Sequence, residues 1–537
     1  MKKQMISSDS SVVQTSKFAG ILEGVATKTS VKAEAMAGIS TAVLSFFVIL
    51  GGASIMAKTI SSDASLFLTV AAMALIVSGL ITIIFSLYTK LPMVFTISLG
   101  INTLVASAIV KQLNLDWSLA LGLLLIEGIL FSLLVLTPFP LKFMRAMPAF
   151  FQNAWPACIG SILVSLAFIS GKALSFRGSS DIALLTFRSP ELFLFFLGSL
   201  ASFLLFKKKG LRFYALIPIL MALLVMIIPT LTGPNMNKGI IIAGSFFVGW
   251  LLLYSVLYDA KKKSAFLVST SLLVLGLALS ITFSDKIPDA IIPPPFRWFG
   301  DTGVFFLPSL NYLKEIVGYP MVVIGRVFSM FNIMWAPLLS IFISHFLATW
   351  AMLSTLHEQR KASFPSHSAQ EAAEKRILAV EGASSLLGAH LCLGSGTLTL
   401  GSIFSHVLGA KTALSSIFAG LVMILSVFML PFVYKYFTLY TVSPLLLMLG
   451  AYLLYHSAKH WFEHKEDLMP ILAVFVTGTL SWNLYFAFFA GLLVYVINRM
   501  VQQKNKDIHP WVWASLCVLF IFAFVLAPVS FIHFVAY

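Results

Sequence analysis

The chain has 537 residues, 59% hydrophobic and only 11% charged, with a mean hydropathy of +0.95. Soluble globular chains are nearer half apolar and a quarter charged, so the surplus can be hidden only in a bilayer and a soluble fold is excluded. The net charge of +15 does not mark a nucleic-acid binder, because the cations sit in short stretches between apolar segments, where they act as topology signals.

Residues 1–35 lack a single apolar core before a cleavage site and are expected as a Lys/Ser-rich cytoplasmic tail, not a signal peptide. Seven apolar segments follow, near 36–57, 65–88, 100–111, 117–137, 148–170, 191–206 and 213–231. A further pair at 239–258 and 265–283 reads as an inserted helix pair within 232–334, which ends in an extracytoplasmic loop. Seven more segments fall near 335–356, 376–392, 398–410, 412–433, 438–456, 468–481 and 484–501, and residues 502–537 hold one extra C-terminal helix near 510–530. Each spanning helix needs about 20 mostly apolar residues, so the pattern predicts an all-α polytopic membrane protein. With the N-terminus inside, most of the 36 Lys and Arg residues fall on the cytoplasmic side. That bias satisfies the positive-inside rule and predicts a multi-pass protein of the inner (plasma) membrane. The three cysteines, Cys158, Cys392 and Cys517, lie far apart in apolar segments and outline no disulfide framework.

Two segments, 100–111 and 398–410, are too short to span. Their surroundings share one grammar: "LPMVFTISLGINTLVASAIVK" (Leu91–Lys111) and "LCLGSGTLTLGSIFSHVLGAK" (Leu391–Lys411). Each has an extended, hydroxyl-bearing run, a Gly-containing turn, a half-length helix and a closing Lys. Each is the third segment of its half if the halves are 36–231 and 335–501. Paired, Gly-interrupted segments at matching positions point to a transporter site between inverted repeats. Non-helical backbone at membrane depth is tolerated only where it lines protein or a polar cavity. Two half-helix N-termini would then present free N–H groups and positive dipole ends to a shared solute.

These residues resemble the xanthine/uracil permease family, the nucleobase:cation symporters, and within it the adenine/guanine/hypoxanthine permease branch. "PMVFTISLGINTLVA" is similar to that family's third segment, and "ALGLLLIEGILFSLL" (Ala120–Leu134) to the branch's fourth. "FRSPELFLFFLGSLASFLLFKKKG" and "VSPLLLMLGAYLL" also look like branch members. The resemblance covers most of 17–230 and 330–510. It implies a 7+7 inverted repeat with a fourteen-helix core, two broken half-helices with short strands, and here two or three further helices. It also implies a permease that carries purine nucleobases such as hypoxanthine, guanine or adenine with proton coupling, by alternating access of a core domain against a gate. No cofactor, catalytic group or metal is implied; a homodimer is among the expected assemblies. The substrate residues carried over are Thr96, Gly100, Asn102, Thr397, Thr399 and Ser402, with His345 and Thr349 on the eighth segment. The departures are acidic. His345 and Ala348 stand where the branch has two acids, Ser402 stands where it has a Glu, and Gly51 or Gly52 stands where it has an Asn. On this reading the scaffold survives and its acidic clamp does not.

His345 lies in "FISHFLATW", deep in an apolar stretch, and an ionisable group there is a functional-site hypothesis. Thr349 is one turn on and shares its face. The plain alternative is a core histidine bonded to a backbone carbonyl. As a site residue, His345 is expected to face a polar cavity beside Asn102, Thr399 and Ser402 with its ring nitrogens open to a ligand. Glu127 and Glu381 are the acids well inside spans, each followed by a glycine, Gly128 and Gly382. Either one, or His345, is a candidate to carry the coupled proton; a structural hydrogen bond between helices is the rival reading. "HSAKHWFEH" spaces His456, His460 and His464 at i, i+4 and i+8, which suits a metal or a polar helix end. A membrane-embedded metalloenzyme using that face is one alternative function, and an anion or other small-solute carrier on the same fold, sulfate-permease-like, is another. No P-loop, nucleotide fingerprint or Ser-His-Asp set supports an ATP-driven pump or a hydrolase.

Overall fold

The computed structural model describes residues 30–60, 64–112, 117–170, 174–177, 181–184, 195–196, 198–200, 327–328, 331–360, 367–391, 393–430, 439–461, 465–481, 483–504, 506 and 508–530. The expected inserted pair at 239–283, the segment at 213–231, most of 191–206, Cys392 and His464 lie outside them.

Six helices among the described residues are long and apolar enough to cross a membrane. Four belong to the first half of the chain: α1 (Val31–Ile60), α2 (Ala64–Thr89), α4 (Trp117–Leu136) and α6 (Phe151–Ser170). Between α2 and α4 lies a broken segment: strand β1 (Phe95–Ile97), the short helix α3 (Leu99–Leu104) and a π-helical continuation, Val105–Gln112. A short amphipathic helix, α5 (Phe139–Ala146), links α4 to α6, and a hairpin of β2 (Leu174–Arg177) and β3 (Asp181–Leu184) follows α6. The second half repeats the order. Helices α7 (Phe331–Arg360) and α8 (His367–His390) precede β4 (Gly396–Leu398) and the half-length α9 (Leu400–Val407). Then come α10 (Ala413–Ser426), α11 (Leu439–Trp461), α12 (Leu468–Ser481), α13 (Leu484–Val501) and α14 (Pro510–Ser530). The protein is a mostly helical, multi-pass membrane protein. Helix is what lipid demands, since its backbone satisfies its own donors and acceptors where water is absent.

The two broken segments meet. β1 and β4 pair antiparallel, with Phe95 opposite Leu398, Thr96 opposite Thr397 and Ile97 opposite Gly396. Ser98 N–H donates to Ser395 O at 2.7 Å and Thr399 N–H to Val94 O at 3.1 Å, which extends the ladder past both strand ends. Thr82 on α2 gives and takes hydrogen bonds at Phe95, its hydroxyl donating to Phe95 O at 2.9 Å and accepting from Phe95 N at 3.1 Å. The non-helical backbone is thus satisfied inside protein, as a bilayer requires. α3 then starts on the Ser98 cap, whose hydroxyl accepts from Ile101 N.

Glycines set the closest helix contacts, as small residues do in membranes. A Cβ on Gly79 (α2) would lie 2.7 Å from Gly420 O (α10), and one on Gly420 would lie 2.6 Å from Gly79 O. Gly160 (α6) and Gly450 (α11) make the same reciprocal contact, at 2.8 and 2.6 Å. α4 crosses α8 where a Cβ on Gly382 would reach within 2.9 Å of Ser132 Cα and one on Gly128 within 3.1 Å of Leu386 Cα. Ser132 seals that crossing by donating to Gly382 O at 2.8 Å. Phe151, Trp155, Trp350 and Phe488 form an aromatic cluster that ties α6, α7 and α13 together, with ring centroids 5.0 to 6.2 Å apart.

Candidate functional site

The α4–α8 crossing puts the residues that follow in sequence beside α7. Glu127 precedes Gly128 and Glu381 precedes Gly382, so both acids come in at the level of closest approach and point to the same imidazole. His345 Nδ1 donates to Glu127 Oε1 at 2.8 Å, the carboxylate being able only to accept. On the other side of the ring, His345 Nε2 lies 3.5 Å from Glu381 Oε1 and has no hydrogen-bond partner. All three side chains are out of water, at 0%, 0% and 1% exposure. Phe131, one turn beyond Glu127 on α4, lies flat on the ring with centroids 4.0 Å apart and planes 9° off parallel.

Each carboxylate has further partners. Glu381 Oε1 accepts from Thr349 Oγ1 at 2.9 Å, and Oε2 accepts from Leu398 N at 2.7 Å. Glu381 therefore joins α7 to β4 directly. Glu127 Oε2 accepts from Ser385 Oγ at 3.3 Å, and Ser385 Oγ lies 3.0 Å from Ser395 Oγ in the run before β4. Two carboxylates and one imidazole are thus buried together and linked to strand backbone, where an uncompensated charge would cost several kcal/mol.

The sequence expectation for His345 needs correction. The ring does not face a polar cavity beside Asn102, Thr399 and Ser402. Its flanks are taken by Glu127, Glu381 and Phe131, because α4 and α8 bring acids and an aromatic ring to it that its own helix does not reveal. Thr399 and Ser402 serve the strand crossing instead. The Thr399 hydroxyl donates to Val94 O at 3.2 Å; Ser402 Oγ donates to the same carbonyl at 3.0 Å and accepts from Val94 N at 2.7 Å. Asn102 is fully buried, its amide nitrogen donating to Leu393 O at 3.2 Å while Oδ1 has no partner. Thr96 donates to Ile97 O at 3.1 Å and faces Thr397 across the register. Gly100 is exposed in the first turn of α3, and a Cβ there would meet nothing within 4 Å. The broken segments therefore bring Thr96, Gly100, Asn102, Thr397, Thr399 and Ser402 into one crossing, and Glu381 connects it to Thr349 and His345. The positions of the expected clamp do hold His345, Ala348 and Ser402; the acids beside His345 are Glu127 of α4 and Glu381 of α8.

Ser385, Ser395 and Phe131 were not singled out by sequence. Ser385 carried a signal, because it follows Glu381 by four residues and so shares its face. Trp350 is a core residue, 4% exposed in the aromatic cluster. Of the histidine face, His456 and His460 lie on α11, and no group of three His, Cys, Asp or Glu able to hold a metal occurs among the described residues.

No protein-family model matches the chain. A Methanocaldococcus jannaschii protein named as a permease is 23% identical over 505 residues, which cover 93% of this chain and 95% of the relative. The nucleobase transporter PlAzg2 of Paenibacillus larvae is 28% identical over 158 residues, 29% of this chain and 31% of its own length. The guanine/hypoxanthine permease PbuG of Bacillus subtilis is 24% identical over 150 residues, 28% of this chain and 34% of its own length. Among solved structures, the transmembrane domain of the cyanobacterial bicarbonate transporter BicA aligns over 91% of this chain and 96% of its own, with a TM-score of 0.34 and 14% identity. The murine anion transporter Slc26a9 aligns over 88% and 68%, with a TM-score of 0.31 and 15% identity. The sequence relatives are transporters, and this chain is a membrane transporter and not an enzyme.

Proposed function

We propose that the protein is a proton-coupled secondary transporter of purine nucleobases such as hypoxanthine, guanine or adenine. The observation that carries this reading is the buried Glu127–His345–Glu381 set, joined through Leu398 N to the paired broken segments. A coupled carrier needs a proton site that is mechanically linked to its solute site, and Glu381 makes that link in one residue. The solute site is the half-helix crossing. There Gly100 leaves open space at the start of α3, and Thr96, Thr397, Thr399, Asn102 and Ser402 surround the strands. Thr349 and His345 read the solute through Glu381, and a change of protonation shifts the contact between α7 and β4. The crossing offers hydroxyl and amide groups and, among the described residues, no side-chain cation, which supports a neutral base as the solute.

The same reading takes 36–231 and 335–501 as two inverted seven-segment repeats, with 232–334 inserted and 502–537 appended. Its support is reciprocity. Thr96 sits opposite Thr397, Gly160 opposite Gly450, and the α2–α10 and α4–α8 crossings are matched second-with-fourth contacts of the two halves. The cation bias supports a cytoplasmic N-terminus in an inner-membrane protein.

Uptake of tritiated hypoxanthine, guanine and adenine into proteoliposomes, with and without an acid-outside gradient, tests the function. Bases should accumulate with the gradient and compete with one another, while bicarbonate and sulfate should not compete. Accumulation of bicarbonate or sulfate by a protein that neither binds nor carries bases would overturn the reading.

A further inference from the structure

A second cavity, of about 410 Å³, lies at the C-terminal end of α7, away from the half-helix crossing. It is within the size range of small-molecule sites, which combine apolar walls with a few placed polar groups. Its apolar side includes Phe151 and an edge of Trp350, rings 5.2 Å apart that are already fixed in the aromatic cluster. Its polar side is built from α8, the end of α7 and Arg145 of α5. Glu374 Oε1 accepts from His357 Nδ1 at 3.0 Å and from Gln370 Nε2 at 2.9 Å, and Gln370 also contacts His357 directly. Glu374 Oε2 is 3.9 Å from Arg145 Nη2, too long for a hydrogen bond, so this oxygen retains acceptor capacity toward the cavity. Ser354, which lines the same space, has a hydroxyl with no hydrogen-bond partner among the described residues.

Charge narrows the occupant. Arg145 pairs with Glu371 at 3.2 Å on the wall, while Lys375, which pairs with the same carboxylate at 3.0 Å, lies outside the lining, so the wall carries two carboxylates and one guanidinium. Burial pulls the Glu374 carboxyl up, but hydrogen bonds from His357 and Gln370 outweigh it and hold the group below its ordinary value, so it stays an acceptor. The two carboxylates disfavour a nucleotide, and the Arg145, His357 and Gln370 contacts already engage carboxylate oxygens that an organic cation would need. A carboxylate acceptor, an amide and a hydroxyl facing fixed aromatic rings suit a flat, neutral solute with N–H and C=O edges.

We propose that this cavity is a second binding site for a neutral purine base, about 14 Å along α7 from His345 by the nine-residue separation of Ser354. It rests on the nucleobase reading above and adds a station on the route between the half-helix crossing and the α7 end of the protein. A base held there rebinds before release, so it slows exit and raises apparent affinity on that side.

Equilibrium binding of tritiated hypoxanthine to the purified full-length protein tests it. Wild type should bind two bases per chain. Ser354→Phe, which fills the cavity, should bind one, and Glu374→Gln, which keeps shape and removes the charge, should weaken the second site about tenfold. Gly100→Leu, which fills the open space at α3, should also leave one. A wild type that binds one base, lost in Gly100→Leu and unchanged in both Ser354→Phe and Glu374→Gln, would overturn the second site and leave the transporter reading standing. A wild type that binds no base would overturn both.

Discussion

Replacing Glu381 separates its two roles, because its partners are known one by one. In Glu381→Gln the side-chain oxygen can keep the 2.7 Å bond from Leu398 N, which has no other acceptor in reach along the ladder. The new amide then faces Thr349 Oγ1 and His345 Nε2, the nitrogen that lacks a partner. A neutral imidazole with its proton on Nδ1 accepts at Nε2, so the variant satisfies every group while removing one titratable carboxyl. Its cost is the difference between a charge-assisted and a neutral hydrogen bond, about 1 kcal/mol. Glu381→Ala instead strands Leu398 N–H in a dry strand, at about 1–3 kcal/mol, and leaves a void beside His345 that adds about 1 kcal/mol or more. Against a typical stability of about 5–15 kcal/mol, the first change is tolerated and the second removes a large share. In proteoliposomes Glu381→Gln should exchange labelled base across the membrane near the wild-type rate, yet fail to accumulate it against a gradient when the outside is acid. Thermal melting in detergent should rank wild type just above Glu381→Gln and well above Glu381→Ala. If Glu381→Gln accumulates base along the pH gradient as wild type does, the carboxyl carries no transported proton. If Glu381→Ala melts with wild type, the bond to β4 does not hold the site together.

His345→Asp places a third carboxylate between Glu127 and Glu381, and the purified variant should melt well below wild type at pH 7.5; melting at the wild-type temperature would contradict the triad geometry. Gly382→Ala forces a Cβ to 2.9 Å from Ser132 Cα, so α4 and α8 must separate; expression should fall and base exchange should slow with accumulation, both read in the same vesicles. Gly394→Ala combines a backbone φ of +87° with a Cβ only 1.9 Å from Asn102 Oδ1, and should destabilise by about 2 kcal/mol or more, measured as a drop in melting temperature. The Glu371 and Glu374 carboxyls are held below 4.5, Glu371 chiefly by its hydrogen bond from Lys375 and Glu374 by those from His357 and Gln370 against burial. A depressed carboxyl stabilises the fold above its unfolded value and loses that contribution as pH falls through its folded value. The melting difference between wild type and Arg145→Met should therefore be present at pH 7 and shrink below pH 4.5.

The broken segments were legible because their cause is local. "TISLGIN" and "SGTLTLG" each join residues that favour extended backbone to a Gly-rich break, and lipid forbids an unpaired strand. A matching partner was required, and β1 and β4 supply it with Thr96 and Thr397 in register. The half-helices α3 and α9 start within two residues of the expected positions, and α1, α2, α4, α6, α7 and α13 fall on the expected spans. The hairpin of β2 and β3 and the short α5 were not legible, since four-residue alternations and an eight-residue amphipathic turn stand out from no background.

What the sequence hid was the direction of the two buried acids. The Glu-Gly pairs at 127–128 and 381–382 announce close helix approach, and α4 and α8 do approach there. Nothing in either pair names α7 as the third party, because a helix face is local and its neighbour is chosen by the whole packing. Along α7 the resemblance finds His345 and Ala348 where two acids are expected, and α7 alone shows no acid beside the imidazole. In three dimensions the imidazole on α7 is held between carboxylates from α4 and α8, one of which also caps β4. Leu398 N–H, the Thr349 hydroxyl and the Ser385–Ser395 pair are satisfied here. The Glu127–His345–Glu381 set thus belongs to a four-element junction and not to one helix, so no single segment could have revealed it.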